Sequence, residues 1–255
     1  MLAALSLLLL LAVPALALDP ADSWLVYAKA SGKGAKVLSV NATWVVPAYP
    51  TTRDGGNAPG WWFGIEPVPA DVLIQPILAY GSWLAGRYQE RTRAPPRALT
   101  PSVHPAAPRR APAGDGSPVY SIFTGFYDWH DGQWQQSRVE TVKPGTVLQG
   151  AIWLDEASGL YRQSINVLGS KPIVTTVTKA QMHDEVFTDV YFVVEHQPNS
   201  CSEYPANGEV VFQDISVVWS SGAAPAWTTA QFKPACNSLG HVVNASTLKF
   251  TWNTA

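Results

Sequence analysis

Residues Gly60 to Gly81 read GWWFGIEPVPADVLIQPILAYG. Two apolar runs, Trp61 to Glu66 and Val72 to Tyr80, flank a break made by Pro67 and Pro69. Each run has strand length and strand-favouring residues, and the proline pair marks a turn between them. Side chains alternate along a strand, so Trp62, Gly64 and Glu66 share one face and Trp61, Phe63 and Ile65 the other. On the second run Leu73, Gln75 and Ile77 share a face. Gln75 is thus a lone amide inside an apolar strand, and a buried amide needs a partner. The pattern predicts a cleft built around Gln75, to which the rest of the chain delivers a carboxylate.

The remaining chain continues in strands. VLSVNATWVVP (37–47), VYSIFTGFYDW (119–129), residues 133–142, 146–154, 161–167 and 174–178, VYFVVE (190–195), residues 209–219 and residues 241–252 all read as strands between Gly, Pro and polar turns. Residues 18–36 read as a short lead-in, residues 181–185 as a turn or a single helical turn, and 220–225 as a loop. No segment sustains a helical period and no repeat is present. This pattern predicts an all-β fold, a two-sheet antiparallel β-sandwich of jelly-roll type.

The 255 residues are 47% hydrophobic and 14% charged, enough apolar content for one sizeable core. Eleven Trp and nine Tyr exceed what such a core needs and fit an aromatic-lined groove. Residues 1–17 have the apolar run and Ala15-Leu16-Ala17 site of a secretory signal peptide, which leaves 18–255 as one domain. The expected location is extracellular. Two glycosylation sequons, at Asn41 and Asn244, agree with that route. Two cysteines, Cys201 and Cys236, fit a single disulfide in an oxidising compartment.

Residues 87–118 hold six of the 17 basic residues and two of the 19 acidic ones, so the remainder carries 11 basic against 17 acidic. The segment, rich in Pro, Ala and Arg, reads as a disordered insertion. An acidic body argues against nucleic acid as partner. No later run is long enough to span a membrane. A monomer is expected.

Familiar nucleophile and zinc-protease motifs are absent. The histidines are scattered without ligand spacing, so neither a metal nor another cofactor is expected. Glu195 closes the most apolar strand of the second half, where desolvation favours the protonated acid. With Gln75 it suffices for amide hydrolysis. The carboxylate takes a proton from water and returns it to the leaving amine, while the amide steadies the oxyanion.

These residues carry a resemblance. WWFGIEP (61–67) followed by VLIQPILAYG is similar to the Trp-x-Gly-Ile-acid and Ile-Leu-Gln-x-Gly signature of the eqolisins, the fungal-type glutamic peptidases. VNATWVVP (40–47), FYDW (126–129), VKPGTVLQGAIW (142–153), DVYFVVE (189–195) and GEVVFQDISV (208–217) resemble further family strands in the same order. The resemblance implies a concanavalin-like sandwich, a catalytic Gln75–Glu195 dyad and work at acid pH. It implies an extended polypeptide substrate, for which Trp62, Glu66, Tyr127 and Trp129 are the expected binding residues. Two positions depart: Glu66 stands where the family usually has Asp, and Pro76 follows the glutamine. Two other classes fit the aromatic face, a non-catalytic carbohydrate-binding sandwich and a glycoside hydrolase using Glu66 with Glu195.

Overall fold

A computed structural model describes residues 23–52, 57–81, 119–197, 201–231 and 235–254. Residues 1–17, read as a signal peptide, and the 87–118 segment lie outside them. The described chain forms strands β1 (Trp24–Ser31), β2 (Val37–Val45), β3 (Asn57–Glu66), β4 (Val72–Tyr80), β5 (Tyr120–Asp128), β6 (Gln133–Gln136), β7 (Glu140–Val142), β8 (Val147–Asp155), β9 (Leu160–Val167) and β10 (Ile173–Thr176). One helical turn follows, α1 (Lys179–Met182), and then β11 (Asp189–Gln197), β12 (Glu209–Trp219), β13 (Thr228–Gln231), β14 (Leu239–Asn244) and β15 (Thr247–Thr251).

These strands make two antiparallel sheets. One runs β13-β1-β11-β3-β4-β5-β6, with β7 also on β5; the other runs β10-β9-β8-β2-β12-β15-β14. The expected two-sheet β-sandwich is therefore the observed fold. Trp61, Phe63 and Ile65 of β3 face inward with Ile74 and Leu78 of β4, against Trp44, Leu148, Ile152 and Phe212 of the second sheet. On the outer face of the first sheet a separate apolar cluster holds Trp24, Trp62, Leu73, Ile77, Phe123, Tyr191 and Val193. Every residue of β4 is buried as a result, which explains why its sequence reads as a continuous apolar run rather than a clean alternation.

Four elements differ from the sequence reading. The lead-in contains β1, which lies between β11 and β13. The 220–225 loop is observed, and β13 follows it in a stretch where no strand was read. Residues 133–142 split into β6 and β7, because Ser137 bonds the backbone of Thr124 on β5 through both its amide and its hydroxyl and breaks the pairing there. Residues 241–252 form a hairpin rather than one strand. Asn244 Oδ1 accepts from the Ser246 amide and hydroxyl, a side-chain-stabilised turn. That places the Asn244 sequon at an exposed turn, whereas Asn41 lies on β2 and donates to the Asp214 carbonyl.

Cys201 and Cys236 are bonded, 35 residues apart. Closing a loop of that length restricts the unfolded chain by roughly 3–4 kcal/mol in the chain-entropy description. The Cys201→Ser, Cys236→Ser double variant is expected to lose that much stability in urea unfolding while keeping its far-UV spectrum.

Candidate active site

The outer face of the first sheet carries the polar residues singled out from the sequence. Glu195 lies near the end of β11, where its backbone is level with Gly60 of β3 and Trp24 of β1. Its carboxylate is 7% exposed and both oxygens are held: Ser23 Oγ donates to Oε1 at 2.7 Å and Trp62 Nε1 donates to Oε2 at 2.8 Å. Trp24 packs edge-on against Trp62, with ring centroids 5.1 Å apart, and edge-on against Tyr191 at 5.2 Å. Tyr204 lies buried in the inter-sheet core, and burial together with the field of Glu195 pushes its phenol well above the ordinary tyrosine range.

Gln75 lies on β4 opposite Gly125 of β5 and is 4% exposed. Its Oε1 accepts no hydrogen bond among the described residues. The pairing of β3 with β4, Trp62 to Ile77 and Ile65 to Ile74, puts Gln75 level with Gly64, and Gly64 is in turn level with Tyr191. Both glycines beside Gln75 are required by close packing. A Cβ on Gly64 would lie 2.7 Å from Leu73 and 2.9 Å from the Ile74 carbonyl, and one on Gly125 would lie 2.3 Å from the Trp134 ring.

Gln75 and Glu195 thus share a face but do not touch. They are two strands and four residues apart, about 16 Å between α-carbons. Trp62 stands midway in both directions. The Trp62 indole donates to the Glu195 carboxylate.

Glu66, expected among the substrate-binding residues, lies on the same face of β3 as Trp62. It is fully buried, and its backbone pairs with Asp189, which bonds Lys29 at 2.5 Å. Glu66 and Glu195 are six residues apart along paired strands, about 20 Å between α-carbons. Tyr127 and Trp129 lie half-buried beside the outer cluster, in edge contact at 4.6 Å. Trp134, over Gly125, and Ser23, Trp24 and Tyr191 are the site neighbours that the sequence reading did not name. Ser23 and Trp24 belong to the stretch read as a lead-in, and alternation along β11 would have identified Tyr191, four residues before Glu195.

No protein-family model matches the chain, and no curated protein matches it in sequence. Solved structures do match in fold. Scytalido-glutamic peptidase, solved with a peptide-based transition-state analogue, superposes with a TM-score of 0.58 at 15% identity over 91% of this chain and 98% of that one. SCP-B, a member of the eqolisin family of peptidases solved with the tripeptide Ala-Ile-His, gives a TM-score of 0.54 at 16% identity over the same shares. The chain has the β-sandwich fold of the eqolisin peptidases. At this identity the likeness speaks for the fold, and the chemistry rests on the site.

Proposed function

We propose that this chain is a secreted glutamic-type acid endopeptidase in which Glu195 and Gln75 act as a dyad on an extended polypeptide. The observation that carries the reading is the arrangement on one sheet face: a buried carboxylate held by two neutral donors, a buried amide with an open acceptor, and an indole between them. Glu195 accepts a proton from the attacking water and delivers it to the leaving nitrogen. Gln75 donates its NH₂ to the developing oxyanion, and its carbonyl oxygen orients the water. Trp62 has two duties, fixing the carboxylate and forming the floor under the scissile bond. Tyr127 and Trp129 offer apolar contacts along the substrate. The signal-peptide pattern and the disulfide support secretion, and the acidic body supports work at low pH. Among the described residues no helix is long and apolar enough to cross a membrane.

The test is hydrolysis of a denatured protein substrate between acid and neutral pH in the presence of pepstatin. Cleavage at acid pH is expected. Tight binding on a glycan array with no cleavage at any pH would replace this reading with the carbohydrate-binding one.

Trp62→Phe examines the positioning of the carboxylate. Phenylalanine keeps an aromatic ring at the position but removes the Nε1 donor to Glu195 and part of the buried indole. A hydrogen bond to a charged group is worth about 1.5–3 kcal/mol. We expect kcat/KM to fall about 10- to 100-fold, with a lower melting temperature from the smaller buried ring. An unchanged kcat/KM would mean that the indole does not position Glu195.

A further inference from the structure

A second polar cluster lies away from the Gln75–Glu195 face. It joins three segments distant in sequence. Asp128, at the end of β5, is 5% exposed and places one carboxylate oxygen toward each of two imidazoles: Oδ2 is 2.7 Å from His183 Nε2, and Oδ1 is 3.2 Å from His130 Nδ1. The two imidazole centroids are 4.3 Å apart. His183 is the left-handed residue that ends α1 (φ 48°, ψ 30°). His130 is set by its own backbone, whose amide donates to Asp128 Oδ1 at 2.9 Å. The ligand-type atoms of Asp128, His130 and His183 all lie within 4.8 Å of one another.

The surroundings match a metal centre in a further respect. The other nitrogen of His130, Nε2, is 3.4 Å from Asp71 Oδ2, just before β4. An imidazole with one nitrogen toward the ion and the other on a carboxylate is the usual second layer of such centres. Asp71 Oδ1 is buried and accepts no hydrogen bond among the described residues. The backbone holds this carboxylate in place, since Trp129 N donates to the Asp71 carbonyl at 2.9 Å. His130 and His183 are both partly open to solvent, so an ion has a route in.

We propose that Asp128, His130 and His183 form a site for a divalent transition-metal ion of the zinc type, with Asp71 orienting His130 from behind. Two imidazoles and one carboxylate are a donor set that zinc-type ions prefer and that calcium and magnesium do not. Three protein ligands leave a fourth position for water. The ion ties the approach to β4, the end of β5 and the end of α1 together, at the same end of β5 as Tyr127 and Trp129. The site is independent of the peptidase reading. Nothing local in the sequence announces it, since the three ligands stand at 128, 130 and 183.

The experiment uses the full chain without a polyhistidine tag, stripped with EDTA and titrated calorimetrically with zinc chloride. One zinc ion per chain is expected, with a melting temperature that climbs with zinc concentration. Cobalt(II) should give the visible bands of a nitrogen- and oxygen-ligated low-coordinate ion. His130→Ala and His183→Asn each remove a ligand, and Asn is chosen because it tolerates the left-handed conformation. Each should abolish the cobalt bands and weaken zinc binding at least 10-fold. Asp71→Asn should keep the bands and weaken zinc binding about 10- to 100-fold. Three results would overturn the proposal: no zinc binding by the wild-type chain at millimolar zinc, equal affinity for zinc and calcium, or undiminished zinc binding in both histidine variants.

Discussion

Glu195→Gln is expected to lower kcat for peptide hydrolysis by roughly 10²–10⁴-fold, the range for a lost general acid–base, while leaving the sandwich folded. The substitution suits the site because it keeps the shape and both hydrogen bonds. The Trp62 indole can only donate, so the new amide must turn its oxygen toward Nε1. Its NH₂ then faces Ser23, whose hydroxyl rotates to accept. What disappears is the capacity to hold the proton of the attacking water. Gln75→Ala removes the oxyanion donor and is expected to cost about 10²–10³-fold in kcat. Both residues serve the same step, so the double variant should be little slower than the worse single one. Steady-state kinetics at acid pH, with melting curves to confirm folding, decide the matter. If both single variants remain folded and fully active, the dyad is wrong, even though the fold stands.

Much of this arrangement was visible in the chain because it depends on local pattern. Val72–Tyr80 was readable to the residue, bounded by prolines before it and Gly81 after it. Glu195 stood out as the charged end of VYFVVE, and alternation alone placed Trp62 and Glu66 on one face of their strand. What stayed hidden depends on pairing between distant segments. Ser23 reaches Glu195 across 172 positions of sequence. It does so only because β1 pairs with β11, and WLVYAKAS sits between a signal-peptide pattern and a Gly-rich string that together read as a lead-in. Glu66 was legible as a cleft-face residue by parity. That it is fully enclosed could not be read, because it depends on the position of β11 and its Asp189. The Asp128–His130–His183 cluster is hidden for the same reason: α1 meets β5 only in the folded sandwich.

The largest loss of stability is expected from Phe63→Ala. Phe63 projects from β3 into the inter-sheet core, where it stacks on Phe192 at 5.1 Å and meets Trp44 of the opposite sheet edge-on at 6.0 Å. Truncating a buried Phe costs about 3–5 kcal/mol, from lost transfer energy and from the cavity left behind. Neighbours in a sheet cannot easily move in, because their backbones are fixed by pairing on both sides. Gly150 on β8 offers a sharper test of the same packing. A Cβ there would lie 2.8 Å and 3.0 Å from two atoms of the Phe63 ring and 3.2 Å from Trp44. Gly150→Ala in the wild-type chain therefore forces the ring to shift, and about 1–3 kcal/mol of destabilisation is expected. In the Phe63→Ala background the obstructing ring is gone. The same methyl then enters the cavity and restricts the unfolded chain, so Gly150→Ala should become neutral or stabilising. Urea unfolding of the four proteins gives the coupling directly. If Gly150→Ala costs the same with and without the Phe63 ring, the two sheets do not meet through this contact.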